Sequence, residues 1–336
     1  MQASGPIPTL DSRSGQLRCR IRLVQSLLAI SLLVGAGCIG PGGLFRRAPQ
    51  APVVFEGIPA GDHLLATIRA NSGNVRQLES DVKVTMDGVP AGATGTLLVE
   101  RPCRMRMKVG VLGMTNSGVD IGTNEEVFWI FNKSSLGGQN PALYFARHDQ
   151  FRSSQLQQSV PLQPGWLIEA LGLIDVDSLV DVQGPFQRND GFLELRTTIP
   201  GPRGNMNRVL AVDPRHGWIV QQAIYDTDTR LIAWSRSSKF RYYPERQASL
   251  PGHVEMHAVG PDGQTTRIGV TLNSHNINQL YVDPALTWQM PRPADVPRID
   301  LSAVGSAGIP PATAHSARYS TPRPWRPGQL RGFNLR

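Results

Sequence analysis

Cysteine is scarce in this chain: Cys19, Cys38 and Cys103 are all that 336 residues hold. No two form a paired-thiol motif, which excludes a Cys-x-x-Cys redox centre and a cysteine-based zinc site. Long apolar runs are missing too. The longest, Leu23 to Val34, is about half the ~20 residues that span a hydrocarbon core, which excludes a transmembrane helix there. Gly-x-Ser-x-Gly and a phosphate-binding glycine loop are absent, and Ser, His and Asp are scattered without the spacing of a catalytic set. The chain does not read as an enzyme, and no cofactor is implied.

A strongly basic folded face is also lacking, although the formal charge is +8. Residues 1–37 carry four Arg and one Asp, which leaves 30 cationic against 25 anionic residues, or +5. Residues from 291 onward carry seven Arg against Asp295 and Asp300, which is also +5. The middle is near neutral, so a nucleic-acid footprint is not expected.

What is present begins with a cationic stretch, Arg18, Arg20 and Arg22, running into the apolar Leu23–Val34 and then Gly35-Ala36-Gly37-Cys38. These are the three parts of a secretory signal. A cysteine directly after the small residues reads as a lipoprotein signal, with cleavage before Cys38 and acylation of its thiol. An ordinary cleaved signal with a chance cysteine is the alternative. An acylated Cys38 ties the chain to a membrane surface, since each buried acyl CH₂ contributes ~0.8 kcal/mol. Cys19 then leaves with the signal and Cys103 has no partner, so no intramolecular disulfide is expected.

Four regions follow: a signal over 1–37, a Gly/Pro-rich tether over 38–61, a folded domain over 62–290 and an Arg/Pro-rich tail over 291–336. The tail has too little apolar periodicity to offset its ordering entropy and is expected to be disordered. It would act as a solvated spacer or touch an acidic surface. In the folded domain, Asp62 is expected to cap a helix with Leu64, Leu65 and Ile68 on one face. Period-two alternation follows, clearest where Met105, Met107 and Val109 oppose Arg104, Arg106 and Lys108. A helix is expected around Trp166–Leu171, then more strands separated by turn residues. The fold class is mainly β: a strongly curved antiparallel sheet of about eleven strands forming a half-open barrel, plugged by two or more helices.

Several segments resemble the bacterial outer-membrane lipoprotein carrier and receptor family (LolA and LolB). They are Leu97-Leu98-Val99-Glu100-Arg101-Pro102-Cys103-Arg104-Met105-Arg106, then Asp120-Ile121-Gly122-Thr123-Asn124-Glu125-Glu126-Val127-Phe128-Trp129, then the helix around Trp166-Leu167-Ile168-Glu169-Ala170-Leu171-Gly172. Val212-Asp213-Pro214 leading to Tyr225-Asp226, and Asn276-Ile277-Asn278, complete the set. The resemblance implies a hydrophobic cavity that takes the acyl chains of lipoproteins or another lipid, with transfer by relative affinity. It implies a periplasmic carrier protein as partner. Cys38 places the chain nearer the lipidated receptor, anchored at the periplasmic face of the outer membrane, with which Ile39 after the cysteine is compatible. The rival reading is a structural lipoprotein that uses the barrel as scaffold and the tail to grip cell wall or a partner.

Met86, Met105, Met107, Trp129, Phe131, Trp218, Ile224 and Trp234 are the candidate cavity wall. The same residues would serve an ordinary packed core. Leu112 and Met114 put large apolar side chains in a turn; by resemblance they form a loop that touches membrane or cargo, and the alternative is a loop folded onto the core. His253, Glu255 and His257 alternate along one strand and share a face. They read as the polar side of the sheet, and no metal site is expected.

Overall fold

The computed structural model describes residues 49–87, 92–111, 118–133, 140–152, 154, 165–201, 204–260 and 263–303. Leu112, Met114 and Cys38 lie outside the described residues. The first six strands are β1 Gln77–Met86, β2 Ala93–Glu100, β3 Arg104–Val111, β4 Val119–Thr123, β5 Val127–Asn132 and β6 Ala142–Arg147. Next come β7 Val180–Gln187, β8 Leu193–Gly201, β9 Gly204–Val212, β10 Ile219–Tyr225 and β11 Leu231–Ser238. The rest are β12 Arg241–Tyr243, β13 Ala248–Leu250, β14 His253–Val259, β15 Thr265–Leu272, β16 Asn276–Ile277 and β17 Arg298–Asp300. The helices are α1 Gly61–Gly73, α2 His148–Arg152, α3 Trp166–Ala170 and α4 Pro284–Thr287.

Fifteen strands form one sheet in the order β17-β6-β5-β4-β3-β2-β1-β15-β14-β11-β10-β9-β8-β7, with β16 beside β1. The ends of the sheet, β17 and β7, are not paired with each other, so the barrel is open. The strand count exceeds the expected eleven, and the short β16 and β17 of the late segment are among the additions, while β12 and β13 form a separate two-stranded sheet. The sheet is also not wholly antiparallel. β17 pairs parallel with β6 (Arg298↔Leu143, Ile299↔Tyr144, Asp300↔Phe145), because the chain returns to that edge by a long crossover rather than a hairpin. The ordered chain therefore runs past residue 290, and Leu301 is buried against Phe128, Ala146 and Phe151.

The register separates two faces. Leu78↔Val99 and Ser80↔Leu97 join β1 to β2, and Val99↔Met105 and Leu97↔Met107 join β2 to β3. Met105↔Thr123 and Met107↔Ile121 carry the same face into β4, and Thr123↔Phe128 and Ile121↔Ile130 carry it into β5. On the other side, Val82↔Leu272 and Val84↔Val270 link β1 to β15, and Val254↔Val270 links β15 to β14. This face is concave and holds the main core, in which Leu78, Val82, Leu97, Val99, Met105, Val254, Val270 and Leu272 are buried.

Two helices fill part of that concavity. α1 presents Leu64, Ile68 and Ser72 at a four-residue spacing, the period of one helical face. The first two enter a second cluster with Leu193, Leu195, Leu210 and Val212 of β8 and β9. Ala60 occupies the cap position without a side-chain cap, and Asp62 sits in the first turn instead, so the expected cap is displaced by two residues. Amides and hydroxyls fasten the end of α1. Asn71 accepts from Ser249 N at 2.7 Å and donates to Ser249 O at 3.1 Å, and Ser72 Oγ donates to Ile174 O at 2.7 Å. Arg101 Nη1 donates to Ser72 O at 2.6 Å. Asn278 accepts from the amides of Arg76 and Gln77 and donates to Asn74 O. α3 lies in the main core with Trp166, Leu167, Ile168 and Ala170 buried.

Candidate functional site

Burial along the concave rows falls off toward one end of the sheet, the end at which β1 leads to β2, β3 to β4, β8 to β9 and β14 to β15. In β1, Leu78 and Val82 are 0 and 1% exposed, Val84 is half-buried and Met86 is 44% exposed. Met105 and Met107 of β3 are buried and Val109 is half-buried. Leu272 and Val270 of β15 are buried and Ile268 is half-buried. Ile121 and Ile199 complete the same graded rim. A sheet that buried both ends equally would show no such gradient. This rim of half-buried aliphatic side chains forms the mouth of the concave face, above the buried core.

Of the eight wall residues expected from sequence, the structure brings Met105, Met107 and Ile224 into the main core, and Met86 lies on the same face at the mouth. The other four lie elsewhere. Trp129 is opposite Gly122 and Phe131 opposite Asp120, so both indole and ring project from the convex face. Trp234 pairs with His257 on the convex face and stacks on its ring at 3.8 Å. Trp218 is sandwiched between His216 at 4.2 Å and Phe240 at 4.6 Å. The reason is parity: residues of β3 and β5 that look equivalent in sequence are separated by two reversals of pairing, and each register decides which alternate set points inward.

The second half of the concave wall differs in chemistry. Thr197 of β8, Arg208 of β9, Gln222 of β10 and Ser235 and Ser237 of β11 are all buried and share the inward face, through the pairs Thr197↔Arg208, Arg208↔Ile224, Leu210↔Gln222 and Gln222↔Ser235. Arg208, Gln222 and Ser237 grip the end of α3. Gln222 Nε2 donates to Glu169 O, Ser237 Oγ donates to Ala170 O at 2.6 Å, and Arg208 Nη2 lies 3.0 Å from Glu169 Oε2 and 2.6 Å from Gln222 Oε1. The last carbonyls of a helix need such partners when buried. Sequence reading missed this strip because its members come from four strands and no local spacing unites them.

The convex face is also less wet than alternation implies. Arg106, expected on the polar side, is 7% exposed. It forms a two-pronged ion pair with Asp120 and donates through Nη1 to the carbonyls of Leu286, Thr287 and Gln289 at 3.3, 2.7 and 3.4 Å. The late segment therefore lies across this face, and Asn124 Nδ2 holds it again at Trp288 O, 2.9 Å away. His253, Glu255 and His257 do share one face. Glu255 receives His257 Nε2 at 2.7 Å and Arg267 at 3.0 Å, and His253 Nδ1 lies 3.0 Å from Thr271 Oγ1. Burial and the nearby Glu125 push the Cys103 thiol up, which opposes thiolate chemistry there.

No family model and no curated protein matches this chain. Among solved structures it is similar to a domain assigned to outer membrane lipoprotein sorting from Vibrio parahaemolyticus, at 8% identity over 66% of this chain and 94% of that one, TM-score 0.45. It is similar to a DUF1329 family protein from Desulfovibrio piger, at 10% identity over 70% and 97%, TM-score 0.45. A LolA superfamily protein from Nitrosomonas europaea shares 12% identity over 67% and 96%, TM-score 0.40.

Proposed function

We propose that this chain is a membrane-anchored lipoprotein that shelters acyl chains in its concave face and takes part in moving lipoproteins or lipids to the outer membrane. The observation that carries the reading is the graded exposure of Val84, Met86, Val109, Ile121 and Ile268 at the mouth above the buried apolar cluster of β1, β2, β3, β14 and β15. Burial of an acyl chain there at ~0.8 kcal/mol per CH₂ supplies the affinity, and release requires another apolar medium to receive the chain. The reaction class is binding and exchange, without a covalent step. Acylation at Cys38 supplies the anchor and fits the periplasmic face of the outer membrane, with a periplasmic carrier delivering cargo. Leu112 and Met114 are assigned the contact with membrane or cargo.

Native mass spectrometry after gentle purification tests the central claim: co-purifying lipid is expected, and a chain that carries none and takes up none from vesicles overturns it. Cys38→Ser is expected to release the chain from membranes. Leu112→Asp with Met114→Asp is expected to slow delivery of lipoproteins, and unchanged delivery removes those two residues from the mechanism.

One observation favours a second reading. Trp166, Leu167, Ile168, Ala170 and Leu171 already occupy part of the interior, as they would in a scaffold lipoprotein whose Arg/Pro-rich tail makes the working contact. Cell-wall retention that depends on residues 304–336, in a chain free of lipid, would decide for it.

A further inference from the structure

We infer that the polar strip on the concave wall is a binding site for the carboxylate head of a fatty acyl ligand, held in this state by the protein's own Glu169. The inference rests on the acyl-binding reading above and names the head group that the site takes. Arg208 is 3% exposed and carries its charge on a wall where the other residues of the strip, Thr197, Gln222, Ser235 and Ser237, are uncharged. A buried guanidinium is costly unless it is paired and fully hydrogen-bonded. Here it is neither cheap nor saturated: its Nε, and Ser235 Oγ two strands away, are buried without a hydrogen-bond partner among the described residues. Most buried polar atoms find partners, so two orphans on one patch of wall mark a place built for a group that is not part of the chain.

The occupant that is there has the right chemistry. Glu169 brings a carboxylate to 3.0 Å from Arg208, and its side chain is 41% exposed, so that carboxylate reaches solvent while its partner does not. The carbonyls of Glu169 and Ala170 take the remaining donors, Gln222 Nε2 and Ser237 Oγ. α3 therefore offers the strip one anion and two carbonyl oxygens, all of them acceptors. An incoming carboxylate that displaced Glu169 would keep the charge balance of Arg208 and meet the unpaired Nε–H and the Ser235 hydroxyl.

The position suits an amphiphile. Arg208 lies two residues inward of Met206 on β9, about 7 Å deeper at the rise of a strand. Met206 and Ile224 belong to the same core cluster as Met105 and Met107 of the opposite half. A head on the strip places its tail against the aliphatic half and the mouth.

The experiment uses the full chain and two fluorescent probes, cis-parinaric acid and its methyl ester, titrated at neutral pH. The acid is expected to bind at least five-fold tighter than the ester. Glu169→Ala is expected to tighten the acid about ten-fold and leave the ester within two-fold. Ser235→Ala, a small change that spares the fold, is expected to halve the preference or more, and Arg208→Met to abolish it. Equal binding of acid and ester in the native chain, or a preference that none of the three variants moves, overturns the inference and leaves acyl binding standing. Failure to bind either probe overturns both.

Discussion

Arg106 and Asp120 meet in a two-pronged ion pair on the convex face, Nε to Oδ1 at 3.0 Å and Nη2 to Oδ2 at 2.7 Å, with both side chains almost wholly buried. Trp129 Nε1 donates to the same Oδ1 at 3.3 Å. The remaining guanidinium nitrogen, Nη1, fastens the segment 286–289 by its carbonyls. One cation thus joins two strands, an indole and the late chain.

Removing one partner of such a pair strands the other in a dry site. Asp120→Asn or Arg106→Met is expected to destabilise the fold by about 3–5 kcal/mol. Chemical denaturation would measure the loss. Limited proteolysis should also show earlier cleavage within 284–303 in either variant than in the native chain.

Gly122 lies beneath the indole of Trp129. A Cβ placed there would sit 2.1 Å from the Trp129 ring, too close for the ring to stay. Gly122→Ala is expected to cost about 1–3 kcal/mol by overpacking. Trp129→Leu added to it should recover part of that loss in a thermal melt, whereas independent sites would lose additively.

His275 is held neutral by burial, reinforced by the nearby charge of Arg241, and its pKa falls from 6.5 to about 4. Tyr243 Oη lies 2.5 Å from its Nδ1. Between pH 6.5 and 4 the unfolded chain carries the imidazole proton and the folded chain does not, so stability rises with pH across that window. The contribution is intact above pH 6.5 and is lost on acidification. At ~1.4 kcal/mol per pH unit the loss sums to roughly 3 kcal/mol. Urea unfolding of the native chain and His275→Gln at pH 7.5 and 4.5 checks this, since the variant should lose less stability between the two.

At the mouth, Val109 and Ile268 are half-buried on the concave face. Val109→Ser with Ile268→Ser is expected to weaken binding of a fluorescent acyl probe five- to ten-fold, because each removes more than one methylene contact at ~0.8 kcal/mol per CH₂. The melting temperature should fall by only a few degrees. An unchanged affinity would move the entry of the acyl chain to another part of the sheet.

Much of the fold could be read in advance because alternation and helical period are local. Met105 and Met107 opposing Arg104 and Lys108, the helix at Leu64 and Ile68, and the helix at Trp166–Leu171 all follow from spacing that tertiary contacts did not override. Three residues of the expected wall, Trp129, Phe131 and Trp234, lie on the convex side for a reason equally physical. Alternation shows that Trp129 and Phe128 face opposite ways, but not which of them faces the concavity. The Asp120-Ile121-Gly122 segment that supports the family resemblance proves to be the seat of the Trp129 indole on the convex side.

Composition and local order alone determined the apolar run Leu23–Val34 ahead of Cys38, the scarcity of cysteine, and a chain of alternating strands with few helices. Only the tertiary structure decided that Arg106 is buried beneath residues 286–289, that β17 returns to β6 in parallel, and that Arg208, Gln222 and Ser237 converge on the end of α3. Period and propensity act over a few residues, whereas register and closure are set by contacts between residues as far apart as Arg106 and Thr287. No window along the chain contains both.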